Sequence, residues 1–217
     1  MINTIIILVA VFLLVVLLYR TKHRGTRAEL ISKSLLSALF VLTAILQPHP
    51  VPVFYYLILA GLIFCLIGDV FLALPQEKMF TPGLGAFLTG HVFYIIAFNS
   101  LTGFNQWFSW QPLVVVIISA AVFIWLRPRL DHMRLPVFLY VVVITIMVAG
   151  AWAVYRFSGC ALIGQVFILG GAVLFYLSDL FVAVDRFVKE GYINRLIGLP
   201  LYYLGQFLLA FSVGLVI

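Results

Sequence analysis

The stretch VFYYLILAGLIFCLIGDVFLAL, residues 53–74, is an apolar run that carries a single carboxylate, Asp69. Its length matches the roughly 20 residues that an α-helix needs to cross the hydrocarbon core of a bilayer. A charged side chain at that depth costs roughly 2.5 to 3.5 kcal/mol on insertion scales. The run therefore predicts a membrane-spanning helix with one acid whose role must offset its insertion cost.

The composition extends this interpretation to the whole chain. The 217 residues are 65% hydrophobic and 9% charged, whereas about a quarter of the residues in soluble proteins are charged. We predict one transmembrane domain over residues 1–217, without a soluble domain. The long apolar runs lack period-two alternation, which favours helices over a membrane barrel. No cofactor is predicted.

Eight apolar runs, separated by proline, glycine or charged breaks, predict an all-α bundle of eight membrane helices. The first run has neither a basic leader nor a small-residue cleavage site, so we expect a retained helix rather than a signal peptide. The runs cover residues 2–18, 30–46, 53–74, 84–101, 112–126, 135–155, 161–184 and 196–216.

The basic residues test this division independently, because Lys and Arg collect on the cytoplasmic side of membrane proteins. All but one of the 13 Lys and Arg residues lie in or beside the first, third, fifth and seventh connections, and Arg156 is the exception. This parity predicts that both termini are non-cytoplasmic. The net charge of +6 is then an orientation signal, and we predict no nucleic-acid partner. The expected location is the plasma (bacterial inner) membrane.

A second acid, Asp179, lies in SDLFVAV, residues 178–184, which echoes GDVFLAL, residues 68–74. The two motifs lie four helices apart, on the third and the seventh run. The echo predicts an internal 4+4 repeat, related by an axis along the membrane normal. Both acids lie about five residues before the cytoplasmic end of a run, so we expect them at matching depth.

Other polar side chains fall in the same half of the membrane as the two acids. Such a one-sided layer predicts a site that opens to the cytoplasm, with the acids facing the bundle interior. The candidate residues are Asp69, Asp179 and His91 for catalysis, and Lys33, Tyr94, Tyr202, Tyr203 and Gln206 for substrate binding.

Structural roles are the alternatives for these residues. The acids could snorkel or pair with Lys33, Lys78 or Arg186, and His91 and the tyrosines could hydrogen-bond neighbouring helices. The segment around Asp185 offers i,i+4 pairs with Lys189 and between Arg186 and Glu190, and it is typical of a solvated helix end without chemistry. The acids and His91 could reach a common metal, but the sequence has no HxxxH or HExxH pair, so we predict no metal site.

Four segments resemble the YhhN-like lysoplasmalogenase family of membrane proteins: GLIFCLIGDVFLAL (61–74), GAFLTGHVFYIIAF (85–98), LGGAVLFYLSDLFVAVDRF (169–187) and LYYLGQFLLA (201–210). Lys33 lies where that family carries a lysine at the start of its second helix. The resemblance implies hydrolysis of the vinyl-ether bond of lysoplasmalogens, which yields a fatty aldehyde and a glycerophospho-alcohol. The implied partner is a membrane lipid or lysolipid.

Vinyl-ether hydrolysis needs a proton delivered to the alkenyl carbon and then water added to an oxocarbenium ion, a task related to glycosidase chemistry. We expect Asp69 and Asp179 to form an acid/base pair, with one protonated and one ionised. His91, Tyr94 or Tyr202 would position water and substrate, and Lys33 would hold the phosphate or tune an acid. Two other classes stay open: a proton-coupled transporter, and a lipid-binding membrane protein without catalysis.

Overall fold

The structure is a computed structural model, and it describes residues 2–23, 26–107, 110, 112–156 and 159–216, without the side chains of residues 26 and 27. Arg24, one of the basic residues of the first connection, lies outside the described residues. Within these ranges the regular structure is helical throughout. The α-helices are α1 (Ile2–Lys22), α2 (Thr26–Leu46), α3 (Pro52–Ala73), α4 (Phe80–Thr102), α5 (Pro112–Leu126), α6 (Arg134–Arg156), α7 (Leu162–Phe187) and α8 (Tyr192–Ser212).

The predicted all-α membrane bundle is confirmed. Seven of the described helices, α1 to α7, are long and apolar enough to cross a membrane by length and composition. The eighth, α8, carries more polar side chains, including Arg195 and Gln206. It nevertheless runs alongside α7 for most of its length, since Gly198 lies against Phe181 and Gly164 lies against Leu215.

Six helices form a ring in which each packs against two neighbours. The order around the ring is α2, α3, α4, α6, α7 and α8, and α3 also touches α8 across it. The helices α1 and α5 lie outside this ring, α1 against α2 and α8, and α5 against α6. A ring of this kind encloses an interior that is lined by one face of each of its helices.

Helices that follow one another in the chain run antiparallel. Gly61 lies against Tyr94, whereas Gly83 at the other end of the pair lies against Leu72. The ends of α1, α3, α5 and α7 therefore meet the starts of α2, α4, α6 and α8. We call this end of the bundle the basic end, because nearly all Lys and Arg residues lie there. The first and last described segments of the chain lie at the opposite end, where Gln47 contacts Asn3 and lies beside Gly214.

Two pairs of helices cross at glycine. A Cβ atom at Gly90 would lie 3.0 Å from the carbonyl oxygen of Gly61, which couples α4 to α3. A Cβ atom at Gly171 would lie 2.9 Å from the carbonyl oxygen of Gly205, which couples α7 to α8 in the same way. Small residues at such crossings let membrane helices approach closely. The same device in both halves is what a 4+4 repeat requires, and the repeat itself stays a prediction.

The two helices that carry the acids end at different distances from them, and the matching depth of the acids in the membrane stays a prediction. The apolar run ends at Val184, but α7 continues to Phe187, whereas α3 ends at Ala73. Asp179 therefore lies eight residues before the end of its helix and Asp69 only four. The polar residues after Val184 continue the helix because i→i−4 hydrogen bonding does not require apolar side chains.

Candidate active site

A cavity of about 530 Å³ lies inside the helix ring and reaches the basic end. Both acids line it, Asp69 from α3 and Asp179 from α7. Its other polar interior residues include Lys33 on α2, Tyr140 on α6 and Tyr202 on α8. Five helices of the ring therefore each contribute at least one polar side chain to a shared space.

Asp69 is buried and accepts contacts from three donors. Nζ of Lys33 lies 3.1 Å from its Oδ1. The hydroxyls of Ser37 and Tyr202 each donate a 2.6 Å hydrogen bond to its Oδ2. Hydrogen bonds to both oxygens and a neighbouring ammonium group favour the ionised form of a carboxyl. Both oxygens of the Asp69 carboxyl group are thus engaged by donors from α2 and α8.

A second layer fixes the partners of Asp69. The hydroxyl of Tyr203 donates to the carbonyl oxygen of Lys33 at 3.3 Å and lies 3.3 Å from the hydroxyl of Ser37. Lys33 and Ser37 are one helical turn apart on α2, so their side chains lie on one face of that helix. Tyr203 therefore links α8 to the segment of α2 that holds the acid.

Asp179 has a different environment. The hydroxyl of Tyr140 donates a 2.6 Å hydrogen bond to its Oδ2. The residue is only partly buried, and among the described residues no basic side chain lies within salt-bridge distance of it. One neutral donor and open space therefore surround this acid, in contrast to the ion pair at Asp69.

His91 lies behind the cavity and does not line it. The imidazole is fully buried, and its centroid lies 5.2 Å from the ring of Tyr140 and 4.5 Å from the ring of Phe175. Within the described ranges no side chain hydrogen-bonds to either of its ring nitrogens. The contact of His91 with the site therefore runs through the ring of Tyr140.

Tyr94 and Gln206 form a separate pair in the core. The hydroxyl of Tyr94 donates a 2.8 Å hydrogen bond to Oε1 of Gln206, and Sγ of Cys65 lies 3.8 Å from the same hydroxyl. Neither residue lines the cavity. The predicted set therefore divides into residues that face the cavity and residues that support it. Lys33, Asp69, Asp179 and Tyr202 belong to the first group, and His91, Tyr94, Tyr203 and Gln206 to the second.

Sequence reasoning missed Ser37 and Tyr140, two further described residues whose hydroxyls donate hydrogen bonds to the acids. Ser37 follows Lys33 by one helical turn, and that spacing was available as a signal. Tyr140 lies in α6, which showed only hydrophobicity. The predicted 4+4 repeat offered a signal, because it pairs α6 with α2 and α7 with α3. In each half, the second helix supplies a side chain that contacts the acid on the third helix.

The part of the cavity wall that α5 and α6 form is mostly apolar. It includes Val122, Val137, Val141 and Ile144. Within it, the hydroxyls of Ser119 and Tyr176 lie 2.9 Å apart, and the hydroxyl of Thr145 lies 2.7 Å from that of Ser119. These three hydroxyls hydrogen-bond to one another, so an apolar chain bound beside them would not leave them without partners.

The described residues include no group of three or more His, Cys, Asp and Glu side chains that could hold a metal ion. The polar groups at the two acids are the carboxyl group of Asp69, whose oxygens both have donors, and the more accessible carboxyl group of Asp179. The hydroxyls of Tyr202 and Tyr140 contact these two acids. Such a pair of unlike acids can divide acid/base and electrostatic roles between them.

The YhhN family matches residues 28–213, which cover the ring helices and both acids. The chain belongs to the YhhN family. A bovine relative named lysoplasmalogenase TMEM86A is 30% identical over 161 residues, 71% of this chain and 64% of the relative. YhhN of Escherichia coli, named an uncharacterized membrane protein, is 29% identical, over 74% of this chain and 75% of its own length.

A Mycobacterium bovis relative, named lysoplasmalogenase, is 28% identical over 75% of this chain and 61% of its own length. The chain thus spans less than two thirds of the length of these bovine and mycobacterial relatives. No solved structure matches it.

Proposed function

We propose that this protein hydrolyses the vinyl-ether bond of lysoplasmalogen-type lysophospholipids, with Asp179 as the proton donor. The observation that carries the proposal is the unequal partnering of the two acids in one cavity. Asp69 has an ammonium group and two hydroxyls, whereas Asp179 has one hydroxyl. The names of the bovine and mycobacterial relatives supply the reaction class.

The proton is assigned to Asp179 because a charge there would lack a counter-ion. Asp179 is partly buried, and removing a charge from water without a partner is unfavourable, so a neutral carboxylic acid suits this position. Its hydroxyl would face the cavity while Tyr140 donates to the other oxygen. The acid transfers this proton to the alkenyl carbon distal to the ether oxygen, and an oxocarbenium ion forms at the carbon bonded to that oxygen.

Asp69 is the electrostatic partner in this scheme. Its carboxylate, held by Lys33, Ser37 and Tyr202, stabilises the developing positive charge without having to reorient during the reaction. Because its oxygens already accept three contacts, we assign it no proton transfer. Lys33 then serves to hold the acid ionised, which is the second of its two predicted roles.

Water completes the reaction. After donating its proton, Asp179 is a carboxylate and removes a proton from the water that attacks the oxocarbenium carbon, the acid-to-base exchange that glycosidases use. The hemiacetal then collapses: Asp179 passes its proton to the ether oxygen as the carbon–oxygen bond breaks, and it takes up the proton of the hemiacetal hydroxyl, which becomes the aldehyde oxygen, so the acid is regenerated. One water is consumed, and the products are a fatty aldehyde and the glycerophospho-alcohol. The hydrocarbon chain would lie along the apolar wall between α5 and α6.

The test is an aldehyde assay on detergent-purified protein with a vinyl-ether lysolipid and its saturated-ether analogue. We expect aldehyde from the first substrate alone, and loss of it in Asp69→Asn and Asp179→Asn. Asp131→Asn is the matched control, because Asp131 is exposed and does not line the cavity. Folded protein that turns over no vinyl-ether lysolipid would refute the proposal and leave a lipid-binding role, whereas full aldehyde release by both variants would refute the roles assigned to the two acids.

A proton-coupled transporter is the other candidate, and the cavity does not favour it. The described residues that line the cavity come from the half of the bundle toward the basic end, and the deepest are near Ile144 and Tyr176. A carrier needs a path that reaches both faces of the membrane. Substrate uptake into proteoliposomes without aldehyde formation would support the transporter instead.

The basic end is proposed to face the cytoplasm, on the positive-inside rule. Cys160, between α6 and α7 at the opposite end, is a partly exposed reporter of orientation. A membrane-impermeant maleimide applied to whole cells should label Cys160, and it should not label Lys78→Cys in a Cys160→Ser background. The reverse pattern would invert the topology.

A further inference from the structure

The mouth of the cavity contains basic side chains that the proposed chemistry does not use. Arg186, Lys189 and Arg195 all line it at the basic end. Lys33, the interior cation, is 9% exposed and is engaged by Asp69. A substrate phosphate that enters from the basic end would therefore meet the mouth before it met Lys33.

Arg195 is already neutralised by acids. Its Nε lies 3.0 Å from Oδ2 of Asp185, and its Nη2 lies 3.2 Å from Oε1 of Glu190. Glu29 of α2 is at 4.0 Å. The i,i+4 pairs expected from the sequence do not form, because α7 ends at Phe187 and leaves Lys189 and Glu190 outside helical geometry.

This arrangement leaves Arg186 and Lys189 without acidic partners. Among the described residues no carboxylate lies within salt-bridge distance of either side chain. The guanidinium of Arg186 lies 4.8 Å from the ring centroid of Phe80, at the start of α4. A stacked guanidinium keeps its N–H groups, which lie in its plane, available to an anion. Arg186 is thus positioned across the mouth with its donors uncommitted.

The spacing along α7 matches the substrate. Arg186 follows Asp179 by seven residues, which is close to two turns, so both lie on one face and are separated by roughly 10 Å along the axis. In an alkenyl lysophospholipid, about seven bonds separate phosphorus from the protonated carbon, or roughly 8 Å in an extended chain. A phosphate at Arg186 would therefore place the vinyl ether beside Asp179.

We infer that Arg186 and Lys189 form the subsite for the phosphodiester of the lysolipid, with Phe80 positioning the arginine. This inference rests on the proposed function for its choice of ligand. Arg186 supplies paired N–H donors to the phosphate, which is the geometry that arginine offers to phosphate groups. Lys189 adds a second positive charge from the segment that follows α7.

Binding of non-hydrolysable ligands tests this subsite separately from catalysis. Detergent-purified protein is titrated with a saturated 1-alkyl lysophospholipid and with 1-alkylglycerol, which has the chain but no phosphate. We expect Arg186→Gln to weaken binding of the phospholipid about tenfold or more, as loss of a charge-assisted contact predicts. Binding of the alkylglycerol should stay within about twofold, since it makes no phosphate contact. Lys189→Gln should show the same selectivity with a smaller effect.

Arg129→Gln is the matched control. Arg129 is also stacked on an aromatic ring, with its guanidinium 5.1 Å from the ring centroid of Trp125, but it does not line the cavity. The Arg129→Gln variant should bind both ligands as tightly as the unmodified protein does. Arg186→Lys should recover part of the phospholipid affinity, because the charge remains but the paired donors are lost.

Several results would overturn the subsite. Equal weakening of both ligands by Arg186→Gln would identify a structural role, and no weakening of either would place the phosphate elsewhere. Inorganic phosphate that binds as tightly as the lysolipid would indicate a free-anion site instead. The binding experiment keeps its meaning if no vinyl ether is hydrolysed, so failure of the proposed function and failure of the subsite are distinguishable.

Discussion

Lys33 and Asp69 form a buried ion pair between α2 and α3, with 3.1 Å between Nζ and Oδ1. The exposed fraction is 9% for Lys33 and 1% for Asp69. Removing one partner of such a pair leaves a buried charge without compensation, whereas removing both can be nearly neutral. The pair therefore makes separate predictions for stability and for activity.

Asp69→Asn should lower the free energy of unfolding by about 3 to 5 kcal/mol, because it leaves the Lys33 ammonium unpaired. Adding Lys33→Met should recover a large part of that stability without restoring activity, since the proposed electrostatic partner stays absent. Thermal unfolding in detergent, with aldehyde release from the same preparations, measures both effects. Equal stability of the single and double variants would show that the pair does not act as a unit.

Asp179→Asn should abolish activity with little change in stability. Its described polar contact is the hydroxyl of Tyr140, and one neutral hydrogen bond contributes only about 0.5 to 1.5 kcal/mol. Loss of a general acid lowers the rate by about 10² to 10⁴ fold. The contrast with Asp69→Asn is the diagnostic feature. A loss of stability as large as at Asp69 would argue that Asp179 is a structural acid.

Tyr140→Phe should lower kcat while leaving KM nearly unchanged. The substitution keeps the ring that packs against His91 and removes the hydroxyl that orients Asp179. We expect a loss of about tenfold, the equivalent of roughly 1.4 kcal/mol. Tyr176→Phe is the comparison, since Tyr176 lines the same cavity but bonds to Ser119 rather than to an acid. Equal losses in both variants would contradict a specific role for Tyr140.

Much of the fold was predictable, because the bilayer imposes a length and a polarity on each helix. The eight runs correspond to α1 through α8, and the run at residues 112–126 coincides with α5. Helix ends at the basic end were less predictable. The run at residues 196–216 misses the start of α8 at Tyr192, because Asn194 and Arg195 are polar but helical. Hydropathy marks the hydrocarbon boundary, whereas backbone hydrogen bonding decides where a helix ends.

The site was predictable where chemistry is visible in one residue type. Acids and lysines stand out in an apolar chain, so Asp69, Asp179 and Lys33 could be selected. Tyr140 does not stand out by residue type, since a tyrosine in an apolar helix is common, and only the predicted repeat offered a signal for it. The division between cavity-lining and supporting residues also depended on helix rotation, which a 3.6-residue period determines too loosely in runs that are apolar on every face.

Gly171→Ala should destabilise the protein, because its Cβ would lie 2.8 Å from Cγ of Leu209 and 2.9 Å from the carbonyl oxygen of Gly205. Overpacking of this kind costs about 1 to 3 kcal/mol. Gly85→Ala is the matched control on α4, where the added methyl meets no atom within 4 Å. That change should stabilise the helix by about 0.5 to 1 kcal/mol. Unfolding midpoints of both variants, measured in one detergent, test the pair, and equal shifts would contradict the glycine crossing.

Substitutions at His91 distinguish a catalytic role of its imidazole from a supporting one. The sequence places it among the catalytic candidates, but the buried imidazole meets the site through the ring of Tyr140 and packs on Phe175. If it supports Tyr140 by packing, His91→Phe should keep activity within about threefold, since an aromatic ring still fills the site, although the larger ring should cost about 1 to 3 kcal/mol of stability. His91→Ala should lose both activity and about 2 to 4 kcal/mol of stability, because it leaves a cavity in the core.

If the imidazole carries a proton, both variants should instead lose activity by about 10² fold or more. Aldehyde release per folded protein, with the folded fraction taken from size-exclusion profiles, decides between the two. We expect the phenylalanine variant to remain active, because no side chain among the described residues hydrogen-bonds to either ring nitrogen of His91.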